Sequence, residues 1–351
     1  MKKVISFVVS FLILLTSVTV VFPISSFAAN KNVVVVIDPG HGGEGDRNLG
    51  AQYNGLSEKA LTLQVANALK TELEKYDGVT VYTTRTTDTA VSLEERAAYA
   101  KSVGADFVFS IHFNASSDHA FYGSEVWTST FGNYYVAGAN FGNVLMNQWS
   151  ELGLYQKGVK TRIGSSGKDY YGIIRACVAR NMPCVIMEHA YLDHGVDVSK
   201  IKSGDFINQL AVADATAIAK YFKLKSATTG ADYSGFKYTS VKKPGKVLYQ
   251  DETGPEKCEI KVLNYDLNSG NILVEMTTKD SQSPVIYFTY SYDGGKTFNT
   301  LQMWDRTQAT QSFNVKVPSG TANPVIVCAA YNNYEKGTLS NPVQVAATFN
   351  Y

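Results

Sequence analysis

The chain has 351 residues, 32 basic and 31 acidic side chains, and a formal net charge of +1. That length suits two ordinary domains, and so even a charge balance argues against nucleic acid and against a polybasic membrane patch as partners. The 4 cysteines, Cys177, Cys184, Cys258 and Cys328, form no CxxC pair, which argues against a thiolate zinc site.

The N-terminus reads as a targeting segment. Lys2 and Lys3 precede an apolar run from Val4 to Phe22, and Ser26 and Ala28 fit the small-residue pattern of a cleavage site. Residues 1–28 are therefore expected to be a signal peptide, with the mature chain beginning near Ala29 and working outside the cytoplasm, secreted or in the cell envelope. The run is long for a cleaved signal, so an uncleaved anchor is the alternative. No other stretch is long and apolar enough to span a bilayer.

From Asn32 to about Lys225 strand-like runs alternate with helix-like patterns, which argues α/β. Val33 to Ile37 is a β-branched run suited to a strand buried on both faces. Ser57 is expected to cap a helix carrying Leu61, Val65, Leu69, Leu73 and Tyr76 on roughly one side. Val79 to Thr83 reads as a strand, and Ser92 with Glu95 as a capping box for a helix running to Val103. "DFVFSIHFN" and "PCVIMEHA" read as core strands and "GSEVWTS" as a shorter one, with helices expected over 136–152, 172–180 and 206–222.

After Leu224 the composition changes. Residues 226–240 read as a linker. Short alternating runs follow over 241–351, with "YDGGK" as a hairpin turn, and suggest a β-sandwich of immunoglobulin or fibronectin-III type. Cys258 and Cys328 lie in two of these runs and either bridge or remain buried thiols. The domain is rich in tyrosine. Its tyrosines either stack on sugar rings or belong to its own packing, and a spacer or a protein-binding role is equally open.

His41, in "DPGHGGEGD", poses the functional question. Gly40, Gly42 and Gly45 satisfy G-x-G-x-x-G, but "DRNLGAQYNG" follows and reads as loop rather than as the helix a nucleotide site needs. A lone turn histidine often only bonds backbone. His41 has company, however: His112 ends the second core strand, and strand ends of an α/β sheet gather in one crevice. Glu58, opening the helix "SEKALTL", is the candidate third ligand, and Glu188 ends another core strand, where an idle carboxylate is costly. Two histidines and a glutamate leave the fourth zinc position for water, and a second glutamate can move its proton.

These residues fall in an ordered series: "VVIDPGHGG", "LSEKALTLQVANALKTEL", "VTVYTTRTTD", "SLEERAAYA", "ADFVFSIHFNAS", "GSEVW", "KGVKTR" and "MPCVIMEHAYLDH". The series, from Asn32 to about Phe222, resembles the zinc-dependent N-acetylmuramoyl-L-alanine amidases of the amidase-3 type. The resemblance implies a mixed-sheet α/β domain over residues 32–225, flanked by helices. It implies one Zn²⁺ per catalytic domain, held by His41, Glu58 and His112, with Glu188 as the catalytic carboxylate. The implied reaction cuts the amide between the lactyl group of N-acetylmuramic acid and the L-alanine of the stem peptide in peptidoglycan. A non-catalytic wall-binding protein and a zinc endopeptidase are the rivals. Phe113 follows the second histidine where the family often has alanine, and "HAYLDH" replaces the usual glycine-phenylalanine continuation. These departures bear on substrate preference. Asn114, Arg175 and His194 are candidate substrate contacts. His189 should point to the face opposite Glu188, His119 should be solvated, and Arg85 and Arg96 should be structural ion-pair residues.

Overall fold

The computed structural model describes residues 32–346. The expected signal peptide at residues 1–28 lies outside them, as does the end of the last expected strand. Strand β1 (Val33–Pro39) is four valines and an isoleucine before Asp-Pro; β-branched side chains are stiff and fit a pleated sheet buried on both faces. A turn leads to a single helical turn, α1 (Asp46–Leu49), and a two-strand hairpin, β2 (Gln52–Tyr53) and β3 (Leu56–Ser57). The loop expected over this stretch is thus partly ordered. Then come α2 (Glu58–Leu73), β4 (Val79–Thr83), α3 (Leu93–Ser102), β5 (Phe107–Asn114) and β6 (Ser124–Thr128). Helix α4 (Gly132–Glu151), β7 (Gln156–Thr161), α5 (Gly172–Val178), β8 (Cys184–Tyr191), α6 (Gly195–Ile201) and α7 (Phe206–Phe222) complete the half.

The six-stranded sheet has the order β4-β1-β5-β8-β6-β7. All neighbouring pairs are parallel except β6 with β8, so the sheet is mixed. Alternation along β1 sends Val35 and Ile37 to one face, where α2, α4 and α7 pack, and Val36 to the other, where α3 and α5 supply Ala97, Ala100, Ile173 and Ile174. The capping box at Ser92 and Glu95 forms in both directions. Ser57 does stand at the N-cap of α2 but makes no cap bond; its hydroxyl accepts from Gln52 Nε2 at 2.9 Å, because the β2–β3 hairpin holds it. Among the described residues no helix is long and apolar enough to cross a membrane.

Residues 226–256 carry no helix or strand and lie along the first half. Tyr233 stacks on Tyr76, Tyr238 stacks on Tyr221, the Val241 amide donates to Asn140 Oδ1 at 2.8 Å, and Thr130 Oγ1 donates to the Leu248 carbonyl. Beyond them β9 (Lys257–Asp266), β10 (Asn271–Lys279), β11 (Val285–Ser291), β12 (Gln302–Met303), β13 (Thr310–Lys316), β14 (Val325–Asn332), β15 (Gly337–Leu339) and β16 (Val343–Gln344) form two antiparallel sheets. The orders are β13-β10-β9 and β12-β11-β14-β15, with β16 also on β14. The sheets share one core, including Ile272, Val274, Met276, Phe288, Ile326, Cys258 and Cys328. Both cysteines are free thiols, Cys258 Sγ lying 3.9 Å from the Cys328 carbonyl. A further apolar cluster joins the two halves: Phe121, Tyr122 and Tyr191 meet Ile286, Tyr287 and Leu301.

Candidate active site

Three backbone features bring the site together. The turn after β1 places His41 with φ 61°, a left-handed conformation uncommon outside glycine. Helix α2 begins at Glu58, and His112 lies near the carboxyl end of β5. Their ligating atoms all fall within 4.8 Å of one another. Glu58 Oε1 is 3.2 Å from His41 Nε2 and 3.0 Å from His112 Nδ1, and the two imidazole rings meet edge to face.

The surroundings fix these three side chains. Glu58 Oε2 accepts from the Ala51 amide at 2.7 Å, and Oε1 from the Phe113 amide at 3.1 Å. Burial would raise the Glu58 carboxyl, but hydrogen bonds and charge from His112 and His41 outweigh it and hold it well below the usual carboxylate range. Gly40 lets the turn approach: a Cβ there would sit 2.4 Å from the His112 ring. The turn is clamped by two buried arginines. Arg96 Nη2 donates to the His41 carbonyl at 2.7 Å and Nη1 pairs with Asp38 at 2.7 Å. Arg85 donates to the Pro39, Gly40 and Lys59 carbonyls and to Thr62 Oγ1. Arg96 is thus the ion-pair residue that was expected, whereas the described partners of Arg85 are neutral oxygens. Two imidazole nitrogens and a carboxylate on rigid supports are a set that suits Zn²⁺ with an open position.

Register sets the next group. His112 pairs with Glu188, and Glu188 pairs with Glu125, across β5, β8 and β6. Directly opposed residues share a sheet face, so an imidazole and two carboxylates stand in one row. Glu188 Oε2 is buried and has no hydrogen-bond partner among the described residues. Burial first, then the charges of Glu58 and Glu125, push the Glu188 carboxyl well above its ordinary value. Glu125 is paired instead, with Lys160 at 2.6 Å and Lys157 at 3.3 Å. His189 does point the other way. It is fully buried, with Nε2 2.8 Å from Asp214 and Nδ1 3.1 Å from the His112 carbonyl, so it steadies the strand that carries a ligand candidate.

A family model described as Amidase_3, N-acetylmuramoyl-L-alanine amidase, matches residues 35–220. The chain belongs to this amidase family. It is 32% identical over 211 residues to the sporulation-specific N-acetylmuramoyl-L-alanine amidase of Bacillus subtilis strain 168, which covers 57% of this chain and 72% of that protein. It is 34% identical over 200 residues to the N-acetylmuramoyl-L-alanine amidase CwlM of Bacillus licheniformis, covering 55% and 70%. The catalytic domain of the amidase CwlV from Bacillus (Paenibacillus) polymyxa var. colistinus is similar at 29% identity and a TM-score of 0.46, over 55% of this chain and 99% of that one. The family match ends before the C-terminal strands.

Not all the candidate substrate contacts of this amidase gather at the site. Asn114 lines the cleft beside Glu188 and donates to Glu125 Oε1 at 3.1 Å. Arg175 does not line that cleft; it sits on α5 and donates to the Asp169 and Tyr170 carbonyls. His194 caps α6 and stacks on Tyr122, also outside the cleft lining. His119 is half exposed and lies 2.8 Å from Asp193. The cleft also holds residues that sequence reasoning did not single out: Glu125, Lys160, Arg162 and Tyr171. The available signal was charge inside runs that otherwise read as buried, Glu125 in "GSEVWTS" and Lys157 and Lys160 in "KGVKTR".

Proposed function

We propose that this amidase is an exported zinc enzyme that hydrolyses the bond between the lactyl group of N-acetylmuramic acid and the L-alanine of the stem peptide. His41, Glu58 and His112 would hold the metal, and Glu188 would be general base and then general acid. The observation that carries the reading is the convergence of the three ligand atoms within 4.8 Å, with an unpartnered buried carboxylate oxygen on the neighbouring strand in register with His112. Zn²⁺ bound there would supply a positive charge that acidifies a water, to a pKa of about 7, polarises the scissile carbonyl and favours the ionised form of Glu188 against its burial. Glu188 takes a proton from the attacking water as its oxygen adds to the lactyl carbonyl carbon. It returns that proton to the alanine nitrogen as the C–N bond breaks, leaving a lactyl carboxylate and a free amino terminus. Glu58, with both oxygens occupied, and the clamped His41 keep the donor set in place without reorganisation. Lys157 and Lys160 hold Glu125 as an ion-paired carboxylate, so Glu188 is the free acid-base group of the row.

Residues 32–225 form the catalytic domain on this reading. The two C-terminal sheets with their shared core are the basis for an immunoglobulin- or fibronectin-III-like sandwich from residue 241 on. Export rests on the basic start and apolar run of the first 28 residues. The test is digestion of purified peptidoglycan by the chain from residue 29, with and without a chelator, followed by mass spectrometry. Stem peptides with an amino-terminal L-alanine, formed only in the zinc-loaded sample, are expected. Cuts inside the stem would make it an endopeptidase, and zinc-independent release would remove the metal mechanism.

A further inference from the structure

The cleft beside Glu188 has a second wall that comes from outside the amidase match. It encloses about 340 Å³, and opposite Glu125, Lys160 and Arg162 it is lined by Gln250, Asp251 and Glu252 and by Tyr334, Glu335 and Lys336 in the β14–β15 turn. The turn is built rather than loose. Asn332 is fully buried; its Oδ1 accepts from the Tyr334 and Lys336 amides, and its Nδ2 is within 3.0 Å of Asp251, Thr253 and Asp280 oxygens. Its amide group thus uses its full bonding capacity. Glu335 is held at φ 64°, a conformation kept only where the surroundings over-determine it.

The turn is also fastened to the opposite wall. Lys160 Nζ donates to the Asn333 carbonyl at 2.9 Å, Tyr334 OH donates to the Thr161 carbonyl at 3.1 Å, and Lys157 and Tyr191 both bond Glu335. The Ile163 amide donates to Gln250 Oε1 at 3.0 Å. On this wall Asp251 is bonded to Ser283, Thr253 and Asn332, Glu252 accepts from Gln250, and Glu335 is paired. The Lys336 ammonium has no partner among the described residues and is exposed in the cleft that Glu188 lines. Across from it the Arg162 guanidinium stacks on Tyr170 at 3.7 Å and adds a second positive charge.

We propose that the C-terminal domain is the specificity-determining half of the substrate cleft, with Lys336 receiving a free carboxylate of the stem peptide while the muramyl amide lies at Glu188. This rests on the amidase reading. The scissile amide is neutral, and the stem carries free carboxyls, so an unpaired ammonium on a rigid turn discriminates stems by their charge. The domain then reads the substrate being cut rather than wall glycan at a distance.

The test compares full-length zinc-loaded wild type with Lys336→Glu and Lys336→Arg on a muramyl tetrapeptide, and on the same compound with every free carboxyl converted to carboxamide. Lys336→Glu should raise KM for the free acid about tenfold or more, the size expected for losing a hydrogen bond to a charged group, with kcat unchanged. The amidated compound should be cut equally by all three, and Lys336→Arg should behave as wild type. Equal KM for both compounds in Lys336→Glu and wild type overturns the proposal, as does an equal loss on both. Calorimetric binding of the free acid to the same three proteins, each also carrying Glu188→Gln, reads the wall without cleavage. If wild type cuts neither compound the amidase reading falls, and the difference in binding still decides the role of Lys336.

Discussion

Glu188 and Glu125 stand side by side on one sheet face, yet among the described residues the two lysines close enough to ion-pair with this row, Lys157 and Lys160, pair with Glu125. Replacing Glu188 by Gln keeps shape and removes the proton acceptor. Activity is expected to fall by about 10²–10⁴-fold, the range for general acid-base catalysis, while zinc content measured by atomic emission stays at one per chain. Retained activity would move the role to another group. A second residue-scale prediction concerns Asp38. Burial would raise its carboxyl, but Arg96 and hydrogen bonds from Thr84, Arg96 and Ser110 hold it below the ordinary value. A lowered folded pKa means stability that is present above the unfolded value, about 3.9, and lost as pH falls through the folded one. Asp38→Asn should therefore lower the melting temperature at pH 7 and flatten its acid limb. The cost should be about 3–5 kcal/mol, because Arg96 is left buried without its counter-charge. An unchanged acid limb would show that Asp38 is not part of the acid response.

At the scale of elements, the turn that joins α1 to β2 governs the placement of His41 and Glu58, two of the proposed ligands, as much as the strands do. Gly50 has φ 67°, and a Cβ there would sit 2.4 Å from Glu58 Oε2 and 2.8 Å from the His41 ring. Gly50→Ala should weaken zinc binding by about 10–100-fold, as disturbed ligand supports do, with far-UV circular dichroism unchanged; competition with a chromophoric chelator measures it. The same scale explains what could be read beforehand. His41 follows β1, Glu58 opens α2, and His112 and Glu188 lie in β5 and β8, elements whose character is local: a β-branched run for β1, apolar runs for β5 and β8, and apolar spacing for α2. The α/β order followed from the same patterns, and the helix over 206–222 from its amphipathic spacing. Lys157, Lys160, Glu125 and Glu335 were illegible as a group, since their pairing depends on strand order and on a contact across 178 positions of sequence. Arg175 lies away from the cleft beside Glu188 because its helix packs on the sheet face of α3, where its guanidinium closes a local loop. Strand β15, Gly-Thr-Leu, is too short to show alternation in the sequence.

For the whole molecule, the shared cluster at Tyr287 decides whether the halves unfold together. Tyr287 is fully buried, its hydroxyl bonds the Tyr122 carbonyl, and its ring lies 5.2 Å from those of Tyr122 and Tyr155. Wild type is expected to melt in one calorimetric transition. Tyr287→Ala, at a cost of about 3–5 kcal/mol, should split it into two; a single transition in the variant would mean that the clefted face alone couples the halves. The segment 226–256 adds a further consequence. Fully extended it would reach roughly 100 Å, the leash of a domain that grips one strand while its partner roams. Here that length is spent lying against the amidase surface, stacked at Tyr233 and Tyr238 and bonded at Val241 and Leu248. The C-terminal sheets are therefore held against the amidase domain rather than leashed to it, and they cannot sweep the neighbourhood while that domain stays in place.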